Sequence, residues 1–212
     1  MISVEELWKS SDAKAWNDAL ERYWCFVKPA NLELERSLVK LTVDRVRNFS
    51  ATEWYDFLLD EYFRWKYTAA NRYASTTRHL KKFEKGEGLQ ELDRVRHELL
   101  DFDVEDIHAG LDTACKIPGL GVAGASGLLA LMYPDKFATV DQFVVKALRE
   151  VRGLKEDEAT RLAQMNPENL SPKDGELLIF ILRREAARLK KSLKDDRWNP
   201  RLLEMVLWTY GR

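Results

Sequence analysis

A chain of 212 residues with 45% hydrophobic and 33% charged content can bury one good core, or two small lobes sharing a cleft, and is excluded from the disordered class. It holds no run of roughly eighteen apolar residues, which argues against a membrane-spanning helix, and its acidic start, Met1-Ile2-Ser3-Val4-Glu5-Glu6, reads as the opening of a helix, so no signal peptide is expected. A net charge of −1 looks poor for a nucleic-acid binder, but the charge is unevenly spread.

Arg64 to Lys85 carries seven Lys/Arg against one acid, Glu84, and Arg183 to Arg201 carries eight against Glu185, Asp195 and Asp196. Glu87 to Asp106 reverses this, with eight acids and two arginines. Separated basic and acidic faces would let the chain hold a polyanion on one side, although a solvated helix face explains any single run equally well. The two cysteines, Cys25 and Cys115, lie far apart in helical segments and read as plain thiols of a cytoplasmic protein.

In chain order, nearly everything predicts helix. Ser3 to Glu6 fits a capping box ahead of Trp8. Asp12–Val27 places Trp16, Leu20, Tyr23, Trp24 and Val27 at helical spacing and stops before Pro29; Asn31–Asn48 follows with Leu34, Leu38, Leu41 and Val46. A second capping box, Ser50 to Glu53, opens an aromatic-rich helix from Trp54 to Tyr67. Asn71–Phe83 ends at Gly86 and Gly88, and Gln90–Leu100 and Asp103–Lys116 come next. Beyond a glycine-rich connection come Val122–Tyr133, Asp141–Val151, Glu156–Met165, a long helix from Ser171-Pro172 to about Leu193, and a last one from Asn199-Pro200 through Tyr210. The result is an all-α protein of about ten to twelve helices, without internal repeats.

The chain is organised around Lys116 to Leu148. Five of the ten glycines lie between Gly110 and Gly127, and such clustering marks tight bends or close approach. Ile117-Pro118-Gly119-Leu120-Gly121 reads as a hairpin between helices Asp106–Lys116 and Val122–Tyr133. Its free amides, at the positive end of the second helix, suit an anion, and phosphate is the usual one. About twenty residues after the hairpin stands Asp141, within Ala138-Thr139-Val140-Asp141-Gln142.

Hairpin, helix, Pro-containing loop and aspartate together resemble the helix-hairpin-helix DNA glycosylase superfamily over roughly 35 residues. The resemblance implies a two-lobed helical bundle over residues 1–212 as one unit, with the motif at about 106–133 facing the interlobe cleft. It implies that Lys116, Ile117, Gly119, Leu120, Gly121, Val122 and Ala123 grip a phosphate of double-stranded DNA. Backbone carbonyls of Cys115, Ile117 and Leu120 would hold K+ or Na+ there. No other cofactor is required, and two cysteines cannot hold the four-cysteine iron–sulfur cluster of some relatives. Asp141 would be the catalytic carboxylate, stabilising oxocarbenium character at the sugar as the base leaves, or orienting a water. Alone, an aspartate before a helix is more often just an N-cap.

Bifunctional relatives carry a lysine where this chain has Ala123, and alanine forms no Schiff base. The resemblance therefore implies a monofunctional hydrolase of the N-glycosidic bond, without lyase activity, acting on a damaged base flipped out of the duplex, with alkylated purine the better fit. The aromatics Trp54, Tyr62, Trp65 and Trp208 are the candidate base-pocket walls, against the reading that an aromatic stripe is core. Arg64, Lys66, Arg72, Arg78, Lys81 and Lys82 are candidate phosphate contacts. The expected protein is monomeric and intracellular, nucleoid-associated if bacterial. Its rivals are a non-catalytic helix-hairpin-helix protein that recognises DNA structure or damage, and an all-α scaffold in which the hairpin is only a corner.

Overall fold

The computed structural model describes residues 2–212, and these form helices and short connections without a strand. The helices are α1 (Val4–Lys9), α2 (Ala13–Phe26), α3 (Pro29–Leu38), α4 (Val43–Arg47), α5 (Ala51–Asp56), α6 (Phe63–Lys66), α7 (Ala70–Leu80), α8 (Gly86–Asp101), α9 (Ile107–Cys115), α10 (Val122–Met132), α11 (Gln142–Arg149), α12 (Glu156–Gln164), α13 (Pro172–Leu193) and α14 (Pro200–Gly211). None of them is long and apolar enough to cross a membrane.

Local chemistry sets most boundaries. Ser3, Ser50 and Ser171 cap α1, α5 and α13 in reciprocal capping boxes with Glu6, Glu53 and Asp174, and Asn199 caps α14 ahead of Pro200. The sequence misleads at three places. The helix expected over Asn31–Asn48 is two, because Thr42 accepts from the Arg45 amide and restarts the chain after a turn that buries Leu41. Gly86 and Gly88 do not end an element but open α8, Gly86 taking φ +61°. The aromatic helix is not uniform: a π-helical segment, Phe57–Tyr62, joins α5 to α6.

Two groups of helices share one continuous core. α14 packs on α2 and α11, and α13 on α9 and α14; α5 packs on α8, and α6 runs on into α7. α10 lies where the groups meet, and ten of its eleven residues are buried. Its small residues admit Tyr62, whose hydroxyl donates to the Gly124 carbonyl; a Cβ on Gly127 would stand 2.8 Å from that hydroxyl. The N-terminal helices dock on the C-terminal ones: Arg188 donates to the Trp8 carbonyl at 2.8 Å, and Trp16 meets Trp198 edge-on at 5.5 Å.

α12 is tied to α13 by the buried Glu158, which accepts from Arg184, and that bond holds the Glu158 carboxyl below its ordinary 4.5. A depressed folded value stabilises the fold above 4.5, and the contribution disappears as pH falls through the folded value. Urea midpoints measured from pH 6 down to pH 3 should therefore fall more in wild type than in Glu158→Gln; parallel curves would show that the pair contributes nothing.

Candidate functional site

The hairpin is built by its glycines. Gly119 takes φ +94°, and a Cβ there would lie 2.7 Å from the Thr76 carbonyl oxygen of α7. Gly119→Ala combines left-handed strain with that backbone clash, so a loss on the order of 2 kcal/mol is expected by thermal melting. Gly121 is exposed, a Cβ there would meet nothing, and no side chain caps α10. The amides of Gly121, Val122 and Ala123 donate no hydrogen bond among the described residues. The carbonyl of Ile117 accepts from the Leu120 amide at 3.1 Å, while those of Cys115 and Leu120 accept nothing among the described residues, as is ordinary for carbonyls at a helix end. Lys116 is not free: Glu98 holds it at 2.9 Å.

Against the hairpin stands α7. Arg64, Arg72, Arg78, Lys81 and Lys82 are exposed and ion-paired with nothing among the described residues. The second basic run behaves otherwise. Arg183 donates to the carbonyls of Val104, Glu105 and Lys136; Arg184, Arg188 and Arg197 pair with Glu158, Glu185 and Asp195; and Arg201 is buried. Those arginines hold the fold together.

Asp141 caps α11, accepting from the amides of Phe143 at 2.9 Å and Val144 at 3.4 Å. Its other oxygen lies 3.7 Å from the ammonium of Lys66, which is only 11% exposed. Both line a cavity of about 220 Å³, room for one planar ring system. The cavity lies between α2, α11 and α14 on one side and α3 and α6 on the other, with Trp65, Trp208, Phe143 and Phe26 among its walls. α6 touches both halves of the site: Phe63 and Tyr67 approach the hairpin at Gly119 and Gly124, while Trp65 and Lys66 face the cavity. The wide π turns before α6 set this phase, and such segments recur at functional sites.

Two expected pocket walls are elsewhere. Trp54 is wholly buried, stacked on Phe57 at 5.6 Å, and Tyr62 is wholly buried against α10. Both are core, so of the four expected walls only Trp65 and Trp208 reach the cavity. No protein-family model, curated protein or solved structure matches the chain, so the residues and their geometry carry the functional reading.

The cavity floor is a buried charged network that the sequence reading misses. Glu35 accepts from the Tyr23 hydroxyl at 2.6 Å, from Arg201 at 3.2 Å and from the Trp65 indole. Arg201 also donates to Glu204 and lies over the Trp65 ring at 5.3 Å. Burial pulls the Arg201 pKa down, but the charges of Glu204 and Glu35 more than offset it and the guanidinium stays charged. Burial raises the Glu204 carboxyl, Arg201 opposes this and the charge of Asp141 adds to it. The sequence signal for this floor was a charged pair, Arg201 and Glu204, spaced to share one face of an otherwise apolar helix. Among the described residues no three His, Cys, Asp or Glu side chains gather to hold a metal ion.

Proposed function

We propose that the chain is a monofunctional DNA N-glycosylase of the helix-hairpin-helix type. The observation that carries this reading is the position of Asp141: twenty residues beyond an open glycine hairpin, it presents a carboxylate to an aromatic-walled cavity of about 220 Å³. The uncapped amides of α10 and the unpaired cations around α7 would bind phosphates and set register without reading sequence. A damaged base would leave the stack and enter between Trp65 and Trp208. Asp141 would then stabilise positive charge on the sugar as the C1′–N bond lengthens, and water would complete hydrolysis to free base and an abasic site.

Lys66 favours a second reading. Its ammonium already neutralises much of the Asp141 charge, and a neutralised pair suits a protein that binds DNA without chemistry. One experiment separates the two. Duplexes carrying alkylated, deaminated, oxidised and mismatched bases are incubated with wild type and Asp141→Asn. Alkali reveals abasic sites, borohydride traps any amine adduct, and affinity is followed against salt. Release that depends on Asp141, without an adduct, supports the glycosylase. Salt-dependent binding without release supports the second reading, and a trapped adduct makes an amine such as Lys66 the nucleophile.

A further inference from the structure

Four cations line the cavity, and they are not equivalent. Lys28 and Arg212 stand exposed at the rim. Arg201 is buried and engaged by Glu35 and Glu204, and its unpartnered Nε is enclosed by protein. Lys66 is the fourth. Its side chain is 11% exposed, and its ammonium donates no hydrogen bond among the described residues. The stem is held against α10, where its Cδ would lie 3.5 Å from a Cβ on Gly127, and this leaves the charged head at the cavity.

At 3.7 Å the ammonium and the Asp141 carboxylate attract without a hydrogen bond, so each head keeps its hydrogen-bonding capacity. Oδ1 of Asp141 is taken by the amides of α11, and Oδ2 faces Lys66. Both charges act on the Glu204 carboxyl at the cavity floor, Asp141 raising it and Lys66 lowering it, so both heads stand over that floor. Breaking a C1′–N bond separates charge in the same way: the sugar turns positive while the departing ring takes the bonding pair. A fixed carboxylate for the one and a fixed ammonium for the other match that separation.

We propose that Lys66 is a second catalytic residue, which donates a hydrogen bond and then its proton to the base as it leaves. The proposal rests on the glycosylase reading and adds to it a fate for the electron pair. The C1′–N bond breaks, its electrons go to the ring, and an Nζ proton of Lys66 follows them, so the base departs neutral. Water adds to C1′ and gives up one proton, which restores the ammonium through solvent. Single-turnover release by wild type and Lys66→Met tests this. Whichever base of the duplex panel wild type releases is paired with an analogue that leaves more readily, the 7-methyl form of a purine or the 5-fluoro form of a pyrimidine. Lys66→Met should release the parent base on the order of a hundredfold more slowly, with a several-fold smaller loss on the analogue, because a better leaving group needs less help from an acid. In wild type alone, the advantage of the analogue over the parent should be smaller than in spontaneous release from the same duplexes, which tests the proposal without the variant.

Equal losses on parent and analogue, no loss on the parent, or a wild-type advantage as large as the spontaneous one would overturn the proposal and leave the glycosylase reading standing. Release confined to rings that already leave neutral would do the same. A borohydride adduct that Lys66→Met abolishes would overturn it differently, by making Lys66 a nucleophile in place of an acid. No release from any duplex would defeat the glycosylase reading, and this role of Lys66 with it.

Discussion

Arg201→Met should destabilise the fold by about 3–5 kcal/mol, the cost of removing one partner from a buried ionic cluster. Methionine fills much of the stem volume, so the loss is electrostatic more than steric. Glu35 loses one of its three donors and Glu204 its only one, with two carboxylates left in a site where each residue is at most 5% exposed. The loss should depend on pH in a defined direction. Burial already raises the Glu204 carboxyl from its ordinary 4.5, and without the guanidinium only the more weakly coupled Lys66 opposes that shift. A carboxyl whose folded value lies above its unfolded one binds protons more tightly when folded, so stability falls as pH rises from 4.5 towards the folded value. Urea unfolding at pH 7 and pH 5 would show the variant recovering part of its deficit at the lower pH. A deficit under about 1 kcal/mol, independent of pH, would show that water reaches the network and solvates it.

The helices were legible in the sequence because their signals are local. Capping serines at 3, 50 and 171, Asn199 with Pro200, and apolar spacing in α2 and α13 depend on near neighbours alone. The hairpin and the capping position of Asp141 were legible for the same reason. What failed to show depends on distant partners. Trp54, Tyr62 and Trp65 look equivalent along the chain, but the π segment changes the helical phase, so two enter the core while Trp65 reaches the cavity. Glu35 and Arg201 are 166 residues apart, and nothing near Glu35 distinguishes it from the solvent-facing Glu33 of the same helix. The basic run from Arg183 to Arg201 resembles the one from Arg64 to Lys85 in composition. Only the carbonyls and carboxylates that come to face its arginines show it to be structural.

Asp141→Asn should leave the fold nearly intact while abolishing the proposed chemistry, and this contrast is what makes it informative. Asparagine caps helices as well as aspartate does, and its side-chain oxygen can still accept from the amides of Phe143 and Val144, so the stability change should be about 1 kcal/mol or less. The cavity keeps its volume and its aromatic walls. What goes is the negative charge beside the sugar, and with it the counter-charge of Lys66 at 3.7 Å. In a glycosylase that charge acts only as the glycosidic bond breaks, so base release should fall roughly a hundred- to a thousandfold, the loss seen when one preorganised electrostatic group is removed from a site. Duplex affinity should hold or rise, because one negative charge has left a surface that in this reading would face phosphate. Release by Asp141→Asn at the wild-type rate would remove Asp141 from the chemistry and leave it an N-cap. Release lost together with duplex binding, in a variant that melts normally, would make Asp141 a binding residue.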